Sequence, residues 1–456
     1  MGIPPRTLGA LQVKLRESLV TRAVVLPIQQ FIHIQGISSI FLLAAAVAAL
    51  VWANSPWHES YHYVWEMELS LSRLQLPVHA WINDALMAIF FFLVGMEIKH
   101  EIVHGELADM KRAALPIVAA LGGMIAPALV YVLLNHGHEG QHGWGIPMAT
   151  DIAFSLGVLG MVKGIPQELK IFLLTLAIAD DIGAIAVIAI FYSGSLDVAA
   201  LITGLVLLGL VVACLKLGIS QPVLYFVLGV GFWIAILRSG IHATIAGVIL
   251  GFVVPTTAPL SLEEFREIAS QTAVRFRDAM AGGDLKGAKS LLGSLELAVQ
   301  STESSAERLT RLLNDWVSFI VLPLFALSNA GVTFTSGVWG SLLTSRVAWG
   351  ILLGLVIGKP LGIVVLSKVA VRWGLAQLPN GVTWRQISAV GVLAGIGFTV
   401  SIFISSLAFD DAAHLMEAKT AVLAASVIAG AVGYFALRKD GGPDLPPGIA
   451  SVAESD

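Results

Sequence analysis

Charged side chains and cysteine are both scarce in this chain. Asp, Glu, Lys and Arg make up 13% of its 456 residues, whereas 56% of the residues are hydrophobic. The mean hydropathy is +0.83. A soluble domain of this length could not bury so much apolar surface, so the composition excludes a soluble globular protein and predicts a membrane protein.

The scarcity of cysteine excludes two further kinds of structure. Cys214 is the single cysteine, so neither an intrachain disulfide nor a metal cluster built on cysteines can form. The first 25 residues contain Arg6, Lys14, Arg16 and Arg22 but no separate apolar core with a cleavage site. We therefore expect a retained basic arm and not a secretory signal.

The dominant feature of the sequence is a series of long apolar stretches separated by Gly, Pro and charged residues. Several contain about 17 to 25 mostly apolar residues, the length that a helix needs to cross about 30 Å of hydrocarbon. We predict an all-α membrane protein with about twelve transmembrane helices. They are centred in residues 36–53, 81–102, 113–134, 147–161, 169–192, 197–215, 221–237, 240–254, 312–332, 347–367, 386–408 and 416–437.

The basic residues predict the orientation of these spans, because cytoplasmic loops are enriched in Lys and Arg. If the N-terminal arm is cytoplasmic, Lys359 lies within the membrane and all but four of the other basic residues face the cytoplasm. The four on the outer side are Arg73, Arg238, Arg346 and Lys419. This asymmetry predicts that both termini are cytoplasmic.

Some segments do not have the pattern of a membrane span. Residues 65–76 alternate polar and apolar side chains, which predicts a small extramembrane β-hairpin. Residues 256–311 are polar and predict one or two cytoplasmic amphipathic helices, divided near Gly282-Gly283. Along the chain we therefore expect a basic arm (1–35), a membrane domain (36–437) and a disordered tail (438–456).

Two adjacent carboxyl groups, Asp180 and Asp181, lie in the middle of the fifth predicted span. An ionised side chain at the bilayer centre costs about 2.5–3.5 kcal/mol. Mutual repulsion and desolvation both disfavour two charges there, and a bound proton or cation removes both penalties. Oxygen ligands suit a small alkali ion, so the pair predicts a site for which protons and sodium compete. The alternative is a protonated or salt-bridged pair that serves packing alone.

Two segments predict helices that are broken within the membrane. The fourth span contains Thr150 and Asp151 in a short stretch flanked by Gly and Pro, and the eleventh contains Gly391, Gly395 and Gly397. Broken helices expose main-chain groups to a cavity, and matching breaks in two halves of a chain indicate an inverted-repeat transporter. Thr150 and Asp151 could also cap a helix, which is compatible with the first interpretation.

Other charged residues in the spans are candidates for the same pathway. Lys359 needs a carboxylate or the negative end of a helix as its partner, and three buried acids are available. Asp84 lies near the outer end of the second span. The group Glu97-Ile-Lys-His-Glu101 lies near its inner end, where these side chains could equally extend to the membrane interface.

Several motifs in the spans are specific enough to suggest a relationship. They are Trp81-Ile-Asn-Asp-Ala-Leu-Met-Ala with Val94-Gly-Met-Glu-Ile-Lys99, Ala149-Thr-Asp-Ile-Ala-Phe154, Asp180-Asp-Ile-Gly-Ala-Ile185, Ser239-Gly-Ile-His-Ala-Thr-Ile-Ala246, Leu322-Pro-Leu-Phe-Ala326 with Asn329-Ala-Gly331, Gly358-Lys-Pro-Leu-Gly362 and Gly395-Ile-Gly-Phe-Thr399. From about Ile34 to Ala436 the chain resembles the NhaA family of bacterial sodium/proton antiporters. The resemblance implies twelve helices in an inner membrane, with crossed discontinuous helices four and eleven, and the family is itself a known example of inverted repeats. Residues 256–311 are longer than the resemblance implies.

The resemblance also implies a function and roles for the buried charges. It implies electrogenic exchange, in which more protons enter the cytoplasm than sodium or lithium ions leave. Asp181 would be the main ion and proton carrier, Asp180 would be its partner, and sodium would bind at both. Asp151 and Lys359 would balance the charges of the broken-helix ends. We expect a homodimer in lipid that makes contact through residues 65–76, no enzyme activity, no nucleic-acid partner, and no cofactor besides the transported ions.

For pH regulation, the resemblance points to a cytoplasmic cluster that includes Glu97, Lys99 and Glu101. His100 stands where family members commonly have Arg. We hypothesise a shifted pH response with an intact transport site. His242 could tune the same response, although an ordinary packed histidine fits that position equally well.

Two other functions also use buried acids. An intramembrane aspartyl protease needs two carboxyl groups from different helices on one water, and Asp151 could supply the second. A passive cation channel would conduct sodium without moving protons. These alternatives differ from an exchanger in a measurable property, the coupling of sodium flux to proton flux.

Overall fold

The computed structural model describes residues 26–71, 74–219, 221–333 and 343–440. The chain forms two compact units. The first contains the described residues of Met1–Met67, Lys111–Val187 and Leu322–Asp456, and the second contains those of Glu68–Met110 and Ile188–Val321. The residues of the predicted ion site belong to the first unit. Asp84, residues 97–101 and His242 belong to the second.

Most of the described residues are helical, as expected for apolar segments that must satisfy their main-chain hydrogen bonds internally. The elements in chain order are α1 (Leu26–Ala53), α2 (His58–Glu66), β1 (Glu68–Leu71), β2 (Leu74–Pro77), α3 (Val78–Val103), α4 (Met110–Asn135), a 3-10 segment (Glu139–Met148), α5 (Ile152–Gly160), α6 (Gln167–Phe191), α7 (Val198–Lys216), α8 (Pro222–Arg238), α9 (Ala243–Val253), α10 (Leu262–Ala281), α11 (Leu285–Ser301), α12 (Ser305–Asn329), α13 (Arg346–Arg372), α14 (Trp384–Leu393), α15 (Phe398–Ala408) and α16 (Ala412–Asp440).

The protein is a multi-pass membrane protein by the length and composition of its helices. Seven described helices are long and apolar enough to cross a membrane, and two bent helix pairs would raise the number to nine. The remaining predicted spans coincide with α8, α9 and the segment 139–160, whose apolar helices are shorter. The total of twelve therefore stays a prediction.

The predicted β-hairpin is present, close to its expected position. β1 and β2 pair antiparallel, with Leu69 opposite Leu76 and Ser70 opposite Gln75. The strands lie between residues 68 and 77, whereas the prediction was 65–76, because α2 continues through Glu66. The two residues at the turn lie outside the described part of the chain.

The long polar segment forms two helices, α10 and α11, that pack against each other. Gly282 and Gly283 separate them as the sequence predicts, and Gly283 has a φ of +72°, a backbone conformation that favours glycine. α10 begins with a capping box, in which Ser261 accepts from the Glu264 N–H and the Glu264 carboxylate accepts from the Ser261 N–H. Hydrogen bonds from Ser261 lower the pKa of the Glu264 carboxyl. The side of the membrane on which these helices lie stays a prediction.

Glycine allows the membrane helices to pack at backbone contact. In the second unit, a Cβ on Gly247 would lie 2.1 Å from the Ala88 carbonyl oxygen, and a Cβ on Gly251 would lie 2.5 Å from that of Phe92. α9 therefore presents two small residues four positions apart to α3, the spacing that brings transmembrane helices closest. In the first unit, a Cβ on Gly362 would lie 2.0 Å from the Gly122 carbonyl oxygen. This close approach packs α13 against α4.

Candidate ion-binding site

Two helix interruptions meet in the first unit. The 3-10 segment ends at Met148, residues 149 to 151 are extended, and α5 begins at Ile152. α14 ends at Leu393 and α15 begins at Phe398, with their axes 48° apart. Both interruptions lie in the segments concerned, and discontinuous membrane helices there stay a prediction.

The two interruptions bind each other through main-chain groups that the helices leave unpaired. The Asp151 N–H donates to the Ile396 carbonyl at 2.7 Å. The Ser155 hydroxyl donates to the Leu393 carbonyl at 3.0 Å, and the Ser401 hydroxyl donates to the Ile146 carbonyl at 2.8 Å. These bonds satisfy carbonyl groups at the ends of interrupted helices, which would be costly to leave unpaired away from water.

Asp151 joins the beginnings of α5 and α15. Its Oδ1 accepts from the Phe154 N–H at 3.0 Å. Its Oδ2 accepts from the Thr399 N–H at 3.1 Å and from the Thr399 hydroxyl at 2.6 Å. A carboxylate is favourable at the positive end of a helix, and this buried one lies at two such ends. The capping role that the sequence allows for Asp151 is therefore present.

Lys359 forms a buried ion pair with Asp180. The Lys359 ammonium donates to Asp180 Oδ2 at 2.6 Å, and both side chains are completely inaccessible. The ammonium also donates to the Met148 carbonyl. Since that carbonyl ends the 3-10 segment, the cation lies at the negative end of one interruption and beside a carboxylate of another helix.

Thr150 connects this ion pair to the other interruption. Its hydroxyl oxygen lies 2.6 Å from Asp180 Oδ2 and 3.0 Å from the Ala394 carbonyl oxygen. A hydroxyl has one proton, so it can donate to only one of these acceptors at a time. Through Thr150, oxygen atoms of the Asp180 carboxylate, the Thr150 hydroxyl and the Ala394 carbonyl come together from three parts of the chain.

The carboxylate of Asp180 is only partly used by these bonds. Its Oδ1 is buried and has no hydrogen-bond partner among the described residues. Asp181 follows on the next position of α6, is 5% exposed, and lies near enough to Lys359 to interact with it electrostatically. A buried carboxylate oxygen without a donor is an acceptor available to a proton or a cation.

Three hydroxyl residues of this site were not predicted from the sequence. Ser155, Thr399 and Ser401 are buried and bond across the two interruptions. The available signal is their position within one turn or so of each predicted break. By contrast, Asp151, Thr150, Asp180, Asp181 and Lys359 are brought together as a single buried group.

The charged residues predicted near the two ends of the second span, together with His242, lie in the second unit. The Lys99 ammonium donates to the Val254 carbonyl at 2.5 Å, at the end of α9, and the Glu101 carboxylate accepts from the Glu106 N–H at 3.0 Å. The rings of His100 and His104 are 5.5 Å apart. Glu97 and Asp84 lie on the same helix, α3. His242 precedes α9, and its ring contacts the Tyr192 carbonyl oxygen.

A multi-pass membrane protein with a buried centre of two carboxylates and a lysine, placed where two interrupted helices meet, has the features of an ion carrier. The sequence matches the Na+/H+ antiporter 1 family over residues 29–437. It is 45% identical over 424 residues to the Na(+)/H(+) antiporter NhaA 2 of Syntrophotalea carbinolica, covering 91% of this chain and 96% of that protein. It is 44% identical over 418 residues to the Na(+)/H(+) antiporter NhaA of Wolinella succinogenes, covering 89% and 91%. The chain belongs to the Na+/H+ antiporter 1 family, which confirms the predicted resemblance.

Proposed function

We propose that this protein exchanges cytoplasmic sodium or lithium for external protons at Asp181 and Asp180. The observation that carries the proposal is the buried Asp180 carboxylate, which has one oxygen bound to Lys359 and Thr150 and the other without a donor. The relatives named as sodium/proton antiporters support the same activity. The exchange is electrogenic, because more protons enter than sodium ions leave.

Competition for one site couples the two ions. Protons or a sodium ion occupy the carboxylates of Asp181 and Asp180, and either neutralises enough charge to let the site face the other side of the membrane. The described residues contain no group of three or more His, Cys, Asp or Glu side chains suited to a metal. Sodium therefore also needs neutral oxygen ligands, and the Thr150 hydroxyl is the nearest one in hydrogen-bonding contact with Asp180. No cofactor takes part in this scheme.

Lys359 and Asp151 balance charge in the proposed mechanism. Lys359 pairs with Asp180 and balances the negative end of the 3-10 segment at Met148. Asp151 balances the positive ends of α5 and α15. The interruptions keep their hydrogen bonds when the transported ion leaves. The site can therefore release the transported ion without leaving main-chain groups unpaired.

The proposed architecture comprises twelve crossings of an inner membrane with both termini in the cytoplasm. Counting the segment 139–160 and helices α8 and α9 as crossings gives this number. The segment 139–160 and the pair α14 and α15 are then discontinuous helices in two inverted repeats. Two copies associate through the strands β1 and β2, whose short exposed hairpin would be marginal alone.

The direct test is proton movement in inverted membrane vesicles prepared from cells that produce the protein. Adding sodium to vesicles with a preformed pH gradient should collapse the gradient. The apparent sodium affinity should fall by about tenfold or more for each unit by which the pH is lowered, because more than one proton competes with each sodium ion. Empty vesicles and vesicles given potassium are the controls. Sodium binding of equal strength at pH 6 and pH 8.5 would contradict exchange at one site. Sodium flux without proton flux would indicate a channel, and peptide cleavage without exchange would indicate a protease.

We also propose that Glu97, Lys99, His100 and Glu101 set the pH response, with His242 as a second candidate. The ring centres of His100 and His104 lie 5.5 Å apart at the end of α3. His100→Arg fixes the positive charge, so we expect its exchange profile between pH 6 and 9 to shift while the maximum rate stays within about twofold. His136→Arg, which makes the same change at an exposed histidine just after α4, is the matched control. Superimposable profiles for wild type and His100→Arg would remove His100 from the regulation.

A further inference from the structure

Helix α11 has two apolar faces, and only one of them is covered. The first packs on α10 and contains buried Ala288 and Ala298 with half-buried Leu291 and Leu295 between them. These four residues repeat every three or four positions, the spacing of a helix that packs against one neighbour. They account for the association of α10 with α11.

The second face is exposed and has a different period. Leu285, Leu292 and Val299 are spaced seven residues apart and are 64%, 51% and 51% exposed. Exposed Lys289 and Glu296 lie between them. At about 100° per residue, all five side chains fall within an arc of about 80°. We call these five residues the α11 stripe.

The α11 stripe is symmetric in a way that fits a second copy of itself. From either end, the order along the stripe is an apolar residue, a charged residue, Leu292, a residue of the opposite charge and an apolar residue. In an antiparallel pair centred on Leu292, Leu285 faces Val299 of the other copy. Lys289 faces Glu296, and the two-fold symmetry makes this ion pair twice. Association of two copies thus pairs every member of the stripe.

The surroundings of the α11 stripe are consistent with a second copy of the chain as its partner. Neither Lys289 nor Glu296 has an ion-pair partner among the described residues. A Cβ on Gly293, which lies about 100° around the helix from Leu292, would meet no atom within 4 Å, so the helix surface beside the stripe is open. A lipid surface is the other candidate, but helices that bind anionic lipid surround their apolar face with Lys and Arg. The charges of the α11 stripe are one of each sign.

We propose that α11 is a dimer contact, in which the α11 stripes of two copies pack antiparallel about a two-fold axis beside Leu292. The membrane holds both copies in one plane and raises their effective concentration, so a contact of this size can contribute. The contact is independent of the ion site. It is a separate proposal from the contact through β1 and β2.

Cross-linking of the full chain in vesicles tests the pairing. In a Cys214→Ser background, Leu292→Cys should form a cross-linked dimer with a short bifunctional maleimide. Ser294→Cys lies two residues away and about 180° around the helix, so it should cross-link at least about fivefold less. Adding Lys289→Glu to Leu292→Cys should lower the cross-linked fraction by about fivefold to tenfold, because it replaces two ion pairs with two like-charge contacts.

Restoration by a charge exchange gives the decisive comparison. Lys289→Glu together with Glu296→Lys rebuilds both pairs with reversed polarity and should recover the cross-linked fraction. Lys286→Glu makes the same charge change about 100° away from the centre of the stripe and should leave the fraction unchanged. Equal cross-linking of Leu292→Cys and Ser294→Cys would overturn the proposal, as would failure of the charge exchange to restore it. Cross-links to other proteins in place of the dimer would also overturn it.

Discussion

Asp181→Asn is expected to abolish sodium/proton exchange and to leave the protein folded in the membrane. The amide keeps the volume of the side chain, but it can neither bind and release a proton nor supply an anionic ligand. Asp181 is 5% exposed and lies near the buried pair of Lys359 and Asp180, so the substitution changes charge at the site more than shape. In inverted vesicles, sodium-dependent proton movement should fall by about a hundredfold or more.

Asp197→Asn is the matched control for this result. Asp197 caps α7 and accepts from the Ala199 and Ala200 N–H groups, and Asn caps a helix about as well as Asp. The control makes the same chemical change at an exposed position and should retain exchange. Exchange that persists in Asp181→Asn would assign the carrier role to another acid. Loss of exchange in both variants would mean that the assay reports general damage.

The charged members of the site could be predicted because lipid makes each of them costly. Asp180, Asp181, Asp151 and Lys359 interrupt apolar stretches, and that alone marks them in the sequence. The partner of Lys359 could not be chosen in this way, since three acids were available. Pairing with Asp180 joins residues 179 positions apart, and it depends on how α13 packs on α6 and the interruption at Met148.

The hydroxyl members of the site show why the remainder could not be predicted. A Ser or Thr in an apolar helix commonly bonds to a carbonyl of its own helix. Ser405 and Ser426 do so here, donating to the Ser401 and Val422 carbonyls four residues back. Ser401 itself donates to Ile146 of another element. Sequence periodicity is the same in both cases, so the crossing bonds become visible only when the two interruptions are placed together.

Prediction of the secondary structure from the sequence is limited in a similar way. Long apolar stretches correspond to helices such as α4 and α6, because length and hydropathy define them directly. Helix α2 was not predicted, since its nine residues, 58 to 66, have no long apolar run. Because α2 continues through Glu66, the hairpin begins at residue 68 and not at residue 65 as predicted. The predicted breaks rest on Gly, Pro and Asp in short spans, because those residues commonly end or cap helices.

Lys359→Met is expected to destabilise the protein more than removing both members of its ion pair. The Lys359 and Asp180 side chains are completely inaccessible and lie 2.6 Å apart. Removing one partner of such a pair leaves a buried charge and costs about 3–5 kcal/mol, whereas replacing both with well-packed hydrophobic residues is often neutral. Asn at position 180 is uncharged and keeps an oxygen that can accept from the Thr150 hydroxyl. The unfolding midpoint in detergent should therefore drop strongly in Lys359→Met and recover for the most part in Lys359→Met with Asp180→Asn. The drop should be larger at pH 9 than at pH 6, because a carboxyl without its cation is neutral only when it binds a proton.

A lysine on the same helix provides the control for this comparison. Lys368 is exposed, and its ammonium lies 5.8 Å from the centre of the Trp384 ring, so Lys368→Met should cost at most about 1 kcal/mol and show no such dependence on pH. A double variant that is as unstable as Lys359→Met would contradict the argument, since loss of a packed side chain and not an unpaired charge would then be the cause. Recovery of stability without recovery of exchange is the expected combination, because Asp180→Asn removes a carboxylate from the transport site while it removes the unpaired charge from the fold.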